Sequence, residues 1–116
     1  MGNPVVHFDI TAPDAAKARE FYGELFGWSY NVMPEMNYSL VDTAANGQGI
    51  AGGIGEGEPS VTVYIEVPDP QAALDKAVAL GATVTQPVDT IPGGMVTLAM
   101  FRDPQGLNIG LVKNHQ

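Results

Sequence analysis

Two stretches of the sequence place groups capable of chemistry on alternate positions. In VVHFDIT (Val5 to Thr11), His7 and Asp9 fall on one face with Val5 and Thr11, and Val6, Phe8 and Ile10 fall on the other. In SVTVYIEV (Ser60 to Val67), Thr62, Tyr64 and Glu66 share one face, and Val61, Val63, Ile65 and Val67 share the opposite one. An imidazole such as His7 can hydrogen-bond a ligand or act as a base, serve a structural role, or ligate a metal. Two carboxylates such as Asp9 and Glu66, if close and partly buried, push one pKa up and leave an acid or base; on open strands they are merely solvated. His7, Glu66 and Asp9 are therefore the catalytic candidates. Tyr64 can stack on a ligand, hydrogen-bond it, or pack. The other histidine, His115, lies next to the C-terminal residue and reads as part of a tail.

Each of these strands leads into a helix. Asp14 is suited to N-cap the first, whose apolar stripe comprises Ala15, Ala18, Phe21, Tyr22, Leu25 and Phe26, with Gly27 at its end. Asp69 caps the second, Pro70 fits its first position, Ala73, Leu74, Ala77, Val78 and Leu80 form its stripe, and Gly81 ends it. Asp14 and Asp69 stand at the same offset as Leu25 and Leu80, so one supersecondary unit occurs twice. Three strand-like runs follow each helix: WSYNVM, NYSLVDT and GIAGGIG, then ATVTQPV, MVTLAMF and LNIGLVK, with RDPQGL as a hairpin turn.

This pattern predicts an α+β fold of two tandem βαβββ modules. Module 1 covers about residues 4–55, a linker about 56–60 and module 2 about 61–113, together one domain over 1–116. The eight strands are expected to form an open, curved, barrel-like sheet with helices outside. Val6, Phe8, Ile10, Val61, Val63 and Ile65 would face the helices, and the polar faces would line a concavity. GIAGGIG is no phosphate loop, since it lacks a Lys-Ser/Thr pair and precedes no helix; its glycines point to strand curvature or close backbone approach. Met33 and Met36 bracket a loop suited to an adaptable pocket edge. Met100, Tyr22 and Trp28 read as core, and Met95 is a fourth methionine of note.

Composition narrows the function classes. Hydrophobic residues make up 45% of 116, enough for a core, and there is no cysteine for disulfide or thiolate chemistry. A net charge of −8 disfavours nucleic acid and is compatible with a cationic ligand, although acidity also simply favours solubility. No signal-peptide pattern or membrane-length apolar run is visible, so a cytoplasmic protein is expected.

In VHFDI…PD…A…FYGELFGW (Val6 to Trp28), GIAGGI (Gly49 to Ile54), VYIEVPDPQAALDKAVALGA (Val63 to Ala82), IPGG (Ile91 to Gly94) and FRDPQG (Phe101 to Gly106), the chain resembles the vicinal oxygen chelate superfamily. That superfamily comprises glyoxalase I, bleomycin-resistance proteins and extradiol dioxygenases, and the similarity is strongest to a glycine-rich glyoxalase-like subgroup. The resemblance implies a concave site where enzymes hold a divalent metal with His, Gln or Glu from the first and last strands of each half. Carried over residue by residue, those positions fall on His7, on Thr62, on Gly52 or Gly53, and on Gly110, where a Glu would stand; Leu107 replaces the Asn that precedes it. One of four is a competent ligand, so no standard metal site and no cofactor are expected.

The expected function is small-molecule binding, of a cationic or aromatic compound, in a pocket formed by His7, Asp9, Thr62, Tyr64, Glu66, Asn108, Gly110 and Met33. Gly110 supplies room in that pocket. The resemblance also implies a homodimer. The alternative is a metal-dependent lyase, isomerase or dioxygenase with atypical ligands. A third reading is a regulatory partner whose concave face is filled.

Overall fold

A computed structural model describes residues 2–33, 38–43, 49–90 and 96–114, with backbone only at Asn114. Met36, Met95, IPGG and His115 lie outside the described residues. Among the described residues the fold is α+β, with eight strands in a mixed sheet and two helices. The elements run β1 (Val5–Ala12), α1 (Ala15–Phe26), β2 (Ser29–Met33), β3 (Tyr38–Asp42), β4 (Gly52–Glu56), β5 (Ser60–Glu66), α2 (Pro70–Ala79), β6 (Thr83–Thr90), β7 (Val96–Arg102) and β8 (Asn108–Asn114). The chain divides into two compact units, Val6–Thr62 and Val63–Gln116 with Met1–Val5.

In the Val6–Thr62 unit the strand order is β2-β3-β4-β1, with β1 and β4 parallel and the other pairs antiparallel. The N-cap works as the sequence implies: the Lys17 amide donates to Asp14 Oδ1 at 3.1 Å, which satisfies one of the first-turn donors. At the other end Gly27 takes φ 73° and its amide donates to the Gly23 carbonyl. Helix α1 covers the sheet face that carries Ile54, Val41, Phe8 and Ile10, with Ala15, Ala18, Tyr22, Trp28 and Tyr30 completing the core.

The helical stripe is wider than the sheet can cover. Ala15 is buried and Tyr22 half-buried, but Phe21, Leu25 and Phe26 are exposed, contrary to the packing expected of them. A twelve-residue helix seats only the wedge pointing at the sheet, and these three side chains leave that wedge.

The second unit repeats the topology as β5-β8-β7-β6, with β5 and β8 parallel. Asp69 caps α2 through the Ala72 amide at 3.1 Å, and Pro70 occupies its first turn. Leu74 and Ala73 pack on Val67, Ala99 and Leu111, with Ile65, Val88 and Phe101 alongside. Val78 and Leu80, expected in this stripe, are exposed. In the hairpin between β7 and β8, Asp103 Oδ1 accepts from the Gln105 and Leu107 amides, both at 2.9 Å, so the turn is closed by a side chain as well as by backbone.

The start of β5 departs from the expected alternation. Val61, placed on the helix side, is 70% exposed, and Thr62, placed in the pocket, is 7% exposed. From Val63 onward the alternation holds, with Ile65 and Val67 in the core. Val61 and Thr62 therefore carry reversed burial, and Thr62 contributes no accessible hydroxyl to a ligand.

Candidate functional site

The face of the β2-β3-β4-β1 sheet away from α1 assembles a polar trio. Alternation along β1 puts His7 and Asp9 there, because Phe8 and Ile10 point to the helix. Register puts Asp9 beside Gly53 on β4 and Leu40 of β3 on Gly53's other flank. One row along, Thr11, Gly55, Tyr38 and Met33 align across the four strands. From that row the Tyr38 side chain leans over Gly53, and its hydroxyl reaches Asp9 and His7. A methyl group at Gly53 would stand 2.7 Å from Tyr38 Cε1 and closer still to Cζ and the hydroxyl. Only glycine leaves space for that ring.

Within the trio, the Tyr38 hydroxyl donates to Asp9 Oδ1. His7 Nε2 lies 3.3 Å from the same carboxylate oxygen and 3.1 Å from the Tyr38 hydroxyl oxygen. With the phenol proton directed at Asp9, an N–H at His7 Nε2 would donate to both oxygens. Side-chain exposure is 29% for His7 and 21% for Asp9, so the groups are shielded yet reachable by solvent or a ligand. With a neutral imidazole and phenol the trio carries one negative charge. It can accept a hydrogen bond or a cation, and it can pass a proton along Tyr38, Asp9 and His7. Met33 and Leu40 supply apolar surface on the same face.

Tyr38 was not foreseen among the site residues. The run NYSLVDT marks it as a strand residue but not one whose hydroxyl crosses a neighbouring strand. The available signal was the glycine pair Gly52-Gly53: an aromatic ring rests on each, Phe8 on Gly52 on the helix side and Tyr38 on Gly53 on the open side.

The second unit arranges its candidates differently. Tyr64, Gly110 and Met100 align across β5, β8 and β7. The Tyr64 ring lies over Gly110, and the hydroxyl reaches Met100 Sδ at 3.9 Å. The space expected above Gly110 is therefore occupied by Tyr64, and Met100, expected in the core, stands on the face away from α2. Glu66 follows on that face, and its amide donates to the Pro4 carbonyl at 2.9 Å. Asn108 accepts a hydrogen bond from Thr85 at 3.0 Å.

His7 and Asp9 are adjacent, but no group of three His, Cys, Asp or Glu side chains converges among the described residues. Two of the carried-over ligand positions, Gly53 and Gly110, lie beneath tyrosine rings. Two grooves lie beside α1, one of about 630 Å³ along the helix and one of about 550 Å³ between α1, β1 and the start of β5. Lys17, Glu20 and Glu24 line the first and Thr11, Asp14 and Lys17 the second, whereas the trio joins its three polar groups by hydrogen bonds. Among the described residues, no helix is long and apolar enough to cross a membrane.

Comparison with known proteins agrees with this fold. Residues 5–44 match the family model described as bleomycin resistance protein-like N-terminal. Over 112 aligned positions the chain is 34% identical to the provisionally named glyoxylase CFP32 of Mycobacterium bovis and of Mycobacterium tuberculosis. The match covers 89% of this chain and 42% of the relative, so the chain spans about two fifths of the length of the curated relatives it matches. A glyoxalase/bleomycin resistance protein/dioxygenase superfamily member from Vibrio splendidus superposes with TM-score 0.69 at 13% identity, over 97% of this chain and 100% of that one. Methylmalonyl-CoA epimerase from Mycobacterium tuberculosis superposes with TM-score 0.67 at 14% identity, over 97% and 88%.

Proposed function

This chain belongs to the vicinal oxygen chelate superfamily, and from that premise we propose that it binds a small organic molecule on the open face of its first unit, without the superfamily's metal. The observation that carries this reading is the junction of His7, Asp9 and Tyr38 over the bare surface of Gly53. A carboxylate, an imidazole and a phenol converging beside Met33 and Leu40 suit a ligand that presents a cationic or hydrogen-bond-donating group joined to an apolar body. The acidic balance of the chain favours the same charge sign.

Each group has a role in this reading. Asp9 supplies the charge that holds the ligand. Tyr38 and His7 fix the carboxylate, and in exchange they can yield their hydrogen bonds to the ligand. Tyr64 and Glu66 serve as the corresponding face of the second unit.

A thermal-shift screen of aromatic quaternary ammonium compounds against acyl-CoA thioesters tests the proposal. Stabilisation of the wild type by the cations, lost in His7→Ala and Asp9→Asn, supports it. Absence of stabilisation by every cation contradicts it. Stabilisation by a thioester with turnover would instead favour an enzyme of the kind found among the fold's structural neighbours.

A further inference from the structure

Helix α1 carries an apolar ridge that its own sheet leaves uncovered. Lys17, Phe21 and Leu25 are spaced by four and form one row along the helix. The helix has 12 residues, so the row lies on a rod about 18 Å long. Phe21 is 61% exposed and Leu25 59%, while Ala15, Ala18 and Tyr22 already fill the buried side. Phe21 also shares the 550 Å³ groove with Pro59 and with Val61, itself 70% exposed. Contiguous apolar surface of this kind, rimmed by charges, marks an interaction face.

The rim says which partner fits. At the helical repeat, Glu20 and Glu24 stand on the flank of the ridge away from Ala18 and Tyr22, and both line the 630 Å³ groove. Asp14 lines the 550 Å³ groove, and the exposed Glu58 precedes its Pro59. Against these four acids, Lys17 is the one cation lining either groove. Glu20 and Glu24 have no ion-pair partner among the described residues, so their charge is available to a partner. An apolar strip with a net acidic rim disfavours an anionic membrane, a nucleic acid and a second copy of the same face, which would bring the same sign. It favours a segment whose apolar stripe runs between basic residues. A helix suits the shape, because a ridge of residues four apart seats in the groove of a second helix, and three turns match the length of α1.

We propose that Phe21, Leu25 and Val61 form a docking surface for a basic amphipathic helix of another protein. The surface is independent of the small-molecule site. Helix α1 covers the opposite side of the sheet from His7, Asp9 and Tyr38, so docking leaves that face open.

Fluorescence anisotropy of a labelled three-turn peptide of leucine and lysine, its leucines on one helical stripe, tests this with the full chain at physiological salt. Saturable binding to the wild type is expected. A scrambled peptide of the same composition, and one with glutamate for every lysine, should bind weaker by about tenfold or more. Phe21→Ser should weaken the first peptide by about tenfold or more. Glu24→Lys should weaken it by about threefold. Asp75→Lys makes the same change in net charge at an exposed position of α2, and its effect should stay within about twofold. The substituted side chains are at the surface, and circular dichroism verifies that the variants remain folded. Absence of saturable binding overturns the proposal. So does a scrambled peptide that binds equally well, indifference to Phe21→Ser, or an Asp75→Lys effect as large as that of Glu24→Lys. Self-association of the wild type abolished by Phe21→Ser assigns the face to a second copy and overturns it. Co-sedimentation with phosphatidylcholine vesicles abolished by Phe21→Ser assigns the face to a lipid surface and overturns it likewise.

Discussion

The Tyr64 ring rests on the bare Cα of Gly110, its hydroxyl turned to Met100 Sδ at 3.9 Å. A methyl group at Gly110 would stand 2.9 Å from Tyr64 Cγ and closer to Cδ2 and Cε2. The first unit repeats the device, with Tyr38 over Gly53. At both glycines of the final strands, missing side-chain volume is refilled by a tyrosine from another strand. The two rings differ in what they do with the hydroxyl. Tyr64 spends it on a weak sulfur acceptor, whereas Tyr38 donates to a carboxylate beside an imidazole.

Gly110→Ala should destabilise the protein by about 1–3 kcal/mol, because the clash reaches Cγ, the root of the ring, and the strand has to yield. Tyr64→Ala alone should cost about 3–5 kcal/mol for a large ring lost. In the double variant the clash disappears, so the combined cost should fall below the sum of the two. Chemical denaturation of all four chains gives the coupling directly.

Gly53→Ala should separate site from fold. The atoms that collide with the new methyl are chiefly the outer ring atoms of Tyr38, which can swing away by rotation of the side chain. The expected cost to stability is near the low end of about 1–3 kcal/mol, while the Tyr38 to Asp9 hydrogen bond is lost. The phenol absorbance titration of this variant compared with wild type reports that loss.

Ser39 faces the core of the first unit at 0% exposure, and its hydroxyl has no hydrogen-bond partner among the described residues. Its neighbour across the strands is Ile54. An unpaired buried hydroxyl costs about 1–3 kcal/mol. Ser39→Ala should therefore leave the melting temperature unchanged or raise it, where most buried substitutions lower it.

Tyr30 donates to the Arg19 carbonyl at 2.9 Å. Burial pushes its phenol above the usual value of 10.0, with the Arg19 guanidinium opposing the shift. A phenol whose folded pKa is raised contributes stability fully below its unfolded value, and that contribution disappears as pH rises through the folded value. Tyr30→Phe should cost about 1 kcal/mol at neutral pH from the lost hydrogen bond. The gap between variant and wild type should close above pH 10.0, as seen in urea midpoints measured at several pH values.

Much of the architecture is legible in the sequence because it rests on local signals. The caps Asp14 and Asp69 and the alternation of β1 act over a few residues, and those residues are contiguous. The doubled unit then dictates the strand order. His7 and Asp9 on one face followed from the same alternation. Tyr38 did not, since its place depends on a register between strands and on the absence of a side chain at Gly53. The same limit explains Gly110. A glycine in a strand reads as open space until the register brings Tyr64 alongside. Phe21 and Leu25 misled in another way. Helical periodicity shows that a stripe exists but not how much of it a five-residue strand can cover.

The most direct test of the account is an NMR titration of the wild-type chain with benzyltrimethylammonium, an aromatic cation. The account predicts saturable shifts of the His7 ring and of the Tyr38 and Asp9 amides, with smaller changes at Met33 and Leu40, all abolished by Asp9→Asn. Shifts confined to other parts of the chain, or none up to the solubility of the probe, would contradict it.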